Sequence, residues 1–299
     1  MPDSHHPNSR ATAGSPTDLS AELNLAYGAQ ATVTPEAFAS VMAEYRTASD
    51  RSVAALTGFC DIAFDPDSDE QLDVWRVAAG GLRPVIIAVH GGYWRMLSRH
   101  DTAFMAAPLA ECGIATVTVD YTLAPGASIE EIVRQVRAAV AWVHRYGREY
   151  ELDPRRMVVV GSSAGAHLAA MTAVGGWQES LGLPEQAVHG VMLLSGLFDL
   201  RPLVHTFAND WLGLDEPRAA AVSPLLAPAT TTPAVVAVAA REASGFHDQS
   251  REFADHWERG AVTTRRNIAN RHHFDVFLDL ADPTSQLFTD LVDLVMAAD

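Results

Sequence analysis

The sequence predicts an α/β fold in which a mostly parallel central sheet carries helices on both faces. Two observations lead there. From about residue 83 onward, short β-branched runs alternate with longer amphipathic stretches, the trace that strand–helix–strand crossovers leave in a chain. The short runs are also apolar at nearly every position, as strands covered on both faces must be. With 299 residues, 48% of them hydrophobic and 19% charged, the chain can bury a sizeable core, which excludes disorder as a description of the whole. A single domain is expected over residues 21–299. Residues 1–20 mix Pro, Ser, Asp, His and Thr without an apolar stretch, and so read as a disordered tail rather than a signal peptide or transit helix.

In chain order, residues 35–51 predict a helix, and residues 62–64 and 72–77 the edge strands of an antiparallel hairpin. Residues 84–90 (PVIIAVH) and 113–120 (GIATVTVD) predict the first buried strands of the parallel series. Over 128–146, Ile129, Ile132, Val133, Val136, Val140 and Val143 recur at helical spacing with charges on other faces, which marks a crossover helix. Residues 156–160 (RMVVV) make another strand. After the glycine-bounded turn at 161–165, AHLAAMTAV has the small, high-propensity content of a buried helix. Strands follow at 191–195 and 234–240, a weaker one at 262–268 ends before Asn270-Arg271-His272-His273, and a helix over 285–297 closes the chain. Between the strands at 191–195 and 234–240, residues 196–233 form a long connection rich in Pro, Leu and aromatics. Such a connection is either a lid or pocket wall, or an ordinary helical excursion over the sheet.

Composition narrows the chemistry. All 21 basic residues are Arg, and the absence of Lys excludes Schiff-base enzymes, lysine-dependent phosphate loops and Ser-Lys hydrolases. A formal charge of −16 leaves no basic footprint for nucleic acid. Cys60 and Cys112 lack Cys-x-x-Cys spacing and are expected to be small buried hydrophobes. No apolar run approaches the length needed to span a bilayer, so no membrane partner is expected and a soluble, cytoplasmic protein is. Neither metal-binding His clusters nor a Gly-x-Gly-x-x-Gly order occurs, and no cofactor or metal is implied. The expected partner is a small-molecule substrate; homo-oligomerisation is left open.

Gly161-Ser162-Ser163-Ala164-Gly165 matches Gly-x-Ser-x-Gly between a hydrophobic strand and a helix, the context that gives the pattern meaning. A nucleophile there sits in a tight, strained turn, and the following helix aims its N-terminus at developing negative charge. Ser163 is then the nucleophile and Ser162 a turn residue. His90-Gly91-Gly92-Tyr93-Trp94 follows the first buried strand, where paired glycines let backbone N–H groups face an oxyanion. Gly91, Gly92 and Tyr93 form this loop, with Gly92, Tyr93 and Ala164 as the expected donors. His90 reads as a structural anchor; Trp94 either walls the pocket, the reading preferred because it abuts the donors, or fills core, and Phe207, Trp211 and Phe274 are expected in the pocket as well.

A serine nucleophile needs a base, and beyond Ser163 an acid and a histidine are expected, each after a late strand. His272 and His273 alone follow the last strand, and His273 is the chosen base. His167 reads as a packing residue and His144, His247 and His256 as surface residues. Glu242 is the first carboxylate after the strand at 234–240, where it would orient the imidazole and stabilise its charged form. Asp248 and Asp199 are competitors on position alone.

Together these residues resemble the α/β-hydrolase superfamily, and HGGYW at 90–94 resembles the kynurenine formamidase (arylformamidase) group. LAPGASIEEIVRQVRAAVAWV, GSSAGAHLAAM, LLSGLFDLRPL, the SPL at 223–225, GFHDQSREFADHW and HHFDVFLDL are similar to that group's pattern in order, from about Leu23 to the C-terminus. The resemblance implies an α/β-hydrolase fold and a triad of Ser163, Glu242 and His273, which selects Glu242 over Asp248 and Asp199. It further implies a serine hydrolase acting through an acyl-enzyme on N-formylkynurenine or a related N-formyl aryl amine, in tryptophan catabolism. Bacterial members of the group include esterases and amidases, so a carboxylesterase of short acyl esters is the alternative. A non-catalytic binding protein on this fold is disfavoured because all three triad residues are present. The chain departs from the group at Ala239-Ala240-Arg241, where glycine is usual, and at Gly245, where a carboxylate often precedes the Phe.

Overall fold

The strands are β1 (Thr57–Ala63), β2 (Gln71–Arg76), β3 (Arg83–Val89), β4 (Ala115–Val119), β5 (Leu152–Ser162), β6 (Gly190–Leu194), β7 (Ala234–Arg241) and β8 (Thr263–His272). A computed structural model, which describes residues 16–76, 80–228 and 230–297, joins them in one sheet ordered β1-β2-β4-β3-β5-β6-β7-β8. Pairing is antiparallel for β1 with β2 and β2 with β4, and parallel from β4 through β8. The hairpin expected near the N-terminus is therefore the β1–β2 edge, with Val77 of its second predicted strand outside the described residues. The chain steps from β3 out to β4 and returns to β5 on the other side of β3. Doubly wound sheets place ligands at the strand carboxyl ends beside such a reversal.

The helices are α1 (Pro16–Ala26), α2 (Pro35–Val53), α3 (Ala106–Glu111), α4 (Ile129–Tyr146), α5 (Ala164–Ala173), α6 (Asn209–Leu212), α7 (Glu216–Ala221), α8 (Ser244–Trp257) and α9 (Gln286–Met296). Strand alternation divides the core into two layers. Val85, Ile87, Val89 and Val159 face one layer with apolar side chains of α4, α5 and α8, whereas Ile86, Ala88, Val158 and Val160 face the other with α2, α3 and α9. Burial on both faces is why these strands read as continuous apolar runs. The crossover helix α4 buries the predicted stripe and starts at Ser128, whose side chain accepts from Glu131 N–H, a standard N-cap.

Three expectations change. Residues 16–20, expected in the tail, belong to α1; residues 1–15 lie outside the described residues. Tertiary contacts rather than local propensity account for α1: Leu23 and Ala26 pack on the core, and Asn24 Oδ1 accepts from Phe207 N–H at 2.7 Å. Cys60 and Cys112 are exposed, because Cys60 sits on the outermost strand and Cys112 caps α3 at its C-terminus. Finally, β8 continues beyond Ile268 as far as His272, held by the pairing of Arg241 with His272. Backbone pairing on an edge strand needs no apolar side chains, so periodicity ended it early.

The 196–233 connection combines both readings offered for it. It is a helical excursion through α6 and α7, pinned to α4 by Arg218 and Glu130 at 2.8 Å, and it also lines a cavity with Phe207 and Trp211. Among the described residues no helix is long and apolar enough to cross a membrane.

The turn between β5 and α5 requires close backbone approach to β3. A Cβ on Gly165 would stand 2.2 Å from the Val89 carbonyl oxygen and 2.7 Å from that of His90. In an exposed helix, Gly to Ala stabilises; here the backbone would have to move. Gly165→Ala is expected to destabilise the protein by about 1–3 kcal/mol, read as a lowered midpoint in thermal or urea unfolding. An unchanged or raised midpoint contradicts the close packing.

Candidate active site

Ser163 occupies the turn between β5 and α5 with φ 56° and ψ −120°, a conformation costly for any residue with a side chain. It is held by its N–H donating to the Leu194 carbonyl at 2.8 Å and by the glycines on either side, since a Cβ on Gly161 would lie 2.3 Å from Gly165. The side chain is presented at a cavity of about 730 Å³. Ser162 is the last residue of β5 rather than part of the turn, and also lines the cavity.

The loop after β3 runs through left-handed backbone, with φ of 94° at Gly92, 48° at Tyr93 and 57° at Trp94. Side chains brace it from several directions. The buried Tyr121 hydroxyl donates to the carbonyls of His90 and Gly91 at 3.0 and 3.1 Å, and its ring stacks on His90 at 4.1 Å. The Tyr93 hydroxyl donates to the Tyr27 carbonyl, and Trp211 Nε1 donates to the Tyr93 carbonyl at 3.1 Å. Among the described residues, no acceptor is paired with the N–H groups of Gly92, Tyr93 or Ala164. Gly92 and Tyr93 line the cavity and Ala164 starts α5 beside Ser163; unpaired donors so placed are suited to stabilise an oxyanion.

Glu242 lies just beyond β7 and His273 just beyond β8, and the structure brings them together: His273 Nδ1 donates to Glu242 Oε2 at 3.0 Å. Because a carboxylate only accepts, this bond leaves Nε2 of the neutral ring as the proton acceptor. The Glu242 side chain is fully buried and that of His273 nearly so. Burial pushes the Glu242 carboxyl upward, but the charge and hydrogen bond of His273, the Ser195 hydroxyl and the Ala239 N–H outweigh it and hold the group below its ordinary value. Ala239 N–H donates to Oε1 at 2.9 Å, and Ser195 Oγ donates to the same oxygen. His273 and Ser163 line the same cavity.

The competing acids are held elsewhere. Asp199 pairs with Arg201 at 2.6 Å and Asp248 with Arg251 at 2.8 Å. Of the expected pocket residues, Phe207, Trp211 and Phe274 line the cavity. Trp94 does not: it is fully buried in the core, edge-on to His167 at 5.2 Å. The left-handed backbone at Trp94 turns its indole inward, while the neighbouring Tyr93 faces the cavity. His167 packs as expected, with Nε2 2.7 Å from the Val222 carbonyl. His144, His247 and His256 are half-buried rather than at the surface, with His256 Nε2 2.9 Å from the Ala227 carbonyl.

Sequence reading missed Ser195, Tyr121 and Tyr27. Ser195 and Tyr121 each follow a parallel strand at its carboxyl end, which was the available signal. Tyr27 carries none, because its role depends on distant segments.

Comparison with known proteins follows the same lines. The family described as BD-FAE matches residues 72–203. The chain is similar to the kynurenine formamidase of Salmo salar, 32% identical over 74% of this chain and 76% of the relative. It is also similar to that of Danio rerio, 29% identical over 84% and 86%. Among solved structures, a candidate thioesterase from Silicibacter sp. TM1040 superimposes with a TM-score of 0.77 at 26% identity, covering 92% of this chain and 99% of that one. The thermostable carboxylesterase EstE1, from a metagenomic library, gives 0.68 at 21% identity over 89% and 96%, a likeness of fold.

The buried carboxylate makes two expectations. Glu242→Gln should lower kcat by about 10³- to 10⁴-fold, and Asp199→Asn should change it by no more than about threefold, both measured by steady-state hydrolysis of an aryl ester; the reverse order would move the acid to the other strand. Because the Glu242 carboxyl titrates lower in the folded protein, its contribution to stability is full above the ordinary carboxylate value and is lost as pH falls through the lowered value. The stability gap between wild type and Glu242→Gln should therefore narrow over that acidic interval in urea unfolding, and a gap independent of pH contradicts it.

Proposed function

Because the chain belongs to the α/β-hydrolase family that includes the kynurenine formamidases, we propose that it is a serine hydrolase cleaving the N-formyl group of an aryl formamide such as N-formylkynurenine. One observation carries the reading. A strained serine, a histidine tied to a buried carboxylate, and a loop whose Gly92 and Tyr93 N–H groups are unpaired among the described residues line one cavity, with the unpaired Ala164 N–H next to the serine.

In this reading Ser163 Oγ attacks the formyl carbon while its proton passes to His273 Nε2. Glu242 keeps the ring oriented and stabilises the imidazolium. The carbonyl electrons collect on oxygen, where the Gly92, Tyr93 and Ala164 N–H groups receive them. His273 then returns the proton to the departing aniline nitrogen, the C–N bond breaks, and a formyl-enzyme remains. Water, deprotonated by His273, attacks that ester, and Ser163 leaves with the proton. An anilide nitrogen leaves more readily than an alkyl amine, and the aromatic walls supplied by Phe38, Phe207, Trp211 and Phe274 suit an aryl group. With that substrate the enzyme would serve tryptophan catabolism.

The cavity volume supports a second reading. At about 730 Å³ the cavity admits acyl groups larger than formyl beside the aryl part, so hydrolysis of short acyl esters by the same machinery is the alternative.

Purified protein assayed on N-formylkynurenine beside p-nitrophenyl acetate and butyrate separates the two. A higher kcat/KM on the formamide is expected, and turnover of the esters alone passes the substrate to the carboxylesterase reading. Ser163→Ala should lower kcat by roughly 10⁴-fold or more, and near-normal hydrolysis by that variant would remove the mechanism.

A further inference from the structure

The cavity is charged on one side only. Among its described lining residues there is no Asp or Glu, and the only Arg is Arg95. Arg99 and Arg134 are each bonded to carboxylates, whereas Arg95, exposed at the rim, is paired with no carboxylate among the described residues. It is nevertheless held in place. Its guanidinium lies 4.3 Å from the centre of the Trp211 ring, and Trp211 is itself tied to the Tyr93 carbonyl. A guanidinium stacked on an aromatic face keeps its edge N–H groups free for a planar bidentate acceptor. The platform is attached to the loop that carries the unpaired N–H groups, so the cation is held in register with the reacting carbonyl.

We infer that Arg95 is a specificity-determining residue that binds a carboxylate on the substrate, remote from the bond being cleaved. The inference rests on the serine-hydrolase reading and narrows its substrates to aryl amides or esters that carry an acid. The chain's net charge of −16 opposes an approaching anion, so the preference must come from contact at Arg95 rather than from long-range attraction. An amino-acid substrate would be recognised by its carboxylate, since its ammonium meets no acid among the described residues of the cavity. Lys at position 95 would keep the charge but lose the fork and most of the stacking.

The test compares 3- and 4-acetoxybenzoate with their methyl esters on wild type, Arg95→Gln and Arg95→Lys. For at least one isomer, the ratio of kcat/KM for the acid to that for its ester should fall roughly tenfold in Arg95→Gln, mainly through KM, with Arg95→Lys in between. Ratios that stay within about twofold for both isomers overturn the role of Arg95. Wild type that turns over neither methyl ester, N-formylkynurenine nor p-nitrophenyl acetate overturns the serine-hydrolase reading itself, and the inference with it; where the methyl esters alone fail, the inhibition comparison decides the role of Arg95. Competitive inhibition of wild type by 3-phenylpropanoate and 3-phenylpropanamide gives a measure that needs no variant: the acid is expected to bind more tightly, and equal inhibition overturns the inference.

Discussion

The site depends on the contact of two backbones where α5 begins against the end of β3. The missing side chain of Gly165 lets the helix start approach the Val89 and His90 carbonyls, and the missing side chain of Gly161 lets the strand turn back on that helix. Between them Ser163 is forced into left-handed backbone. The same approach brings Ala164 N–H alongside the loop after β3, and a Cβ on the adjoining Gly91 would lie 2.7 Å from the Ser162 carbonyl oxygen. Ser163 and the unpaired N–H groups of Gly92, Tyr93 and Ala164 are thus positioned by one contact rather than by separate devices. The cost of the strained turn is met by a core sealed on both faces of β3 and β5.

The Glu242–His273 pair meets a different constraint, the burial of a charge. A buried carboxylate is tolerated when each oxygen is supplied with donors. Glu242 has His273 on one oxygen, and Ala239 N–H and Ser195 Oγ on the other. Ser195 is itself in left-handed backbone at the end of β6, with its N–H bonded to the Ala237 carbonyl at 2.7 Å. Three adjacent strand ends therefore hold one carboxylate, which explains why the acid lies at the centre of the β6–β7–β8 edge.

What was legible in the sequence is what depends on local pattern. The parallel strands, the crossover helix and the serine turn follow from runs of residues that are neighbours in the chain, whereas the choice of Glu242 over Asp248 and Asp199 came from the resemblance to a known family. Illegible were features set by backbone sign or by contacts between distant segments. HGGYW reads the same whether Tyr93 or Trp94 faces the cavity, and only the left-handed turns at both positions send Trp94 into the core. The polar end of β8 was missed because its order comes from pairing with β7, not from burial of its side chains. Ser195 was visible as a strand end, but its partner lies 47 residues away.

The departures from the related sequences make sense in the same long-range terms. Gly245, where the resemblance implies a carboxylate, faces the end of α1 and the residue after it: a Cβ there would be 2.7 Å from the Ala26 carbonyl oxygen and from the Tyr27 ring. Tyr27 takes the space that a side chain at 245 would fill. Its hydroxyl accepts from Gln249 Nε2 at 3.0 Å, while Gln249 Oε1 accepts from the N–H groups of Phe198 and Asp199. Its carbonyl receives the Tyr93 hydroxyl. One residue of the N-terminal segment thus joins α8, the loop after β6 and the loop of unpaired donors. The second departure is equally benign: a side chain at Ala239 leaves its N–H free to reach Glu242, because that bond uses the backbone alone. Neither departure therefore disturbs the geometry around Glu242 and His273; the placement of Tyr27 matters more.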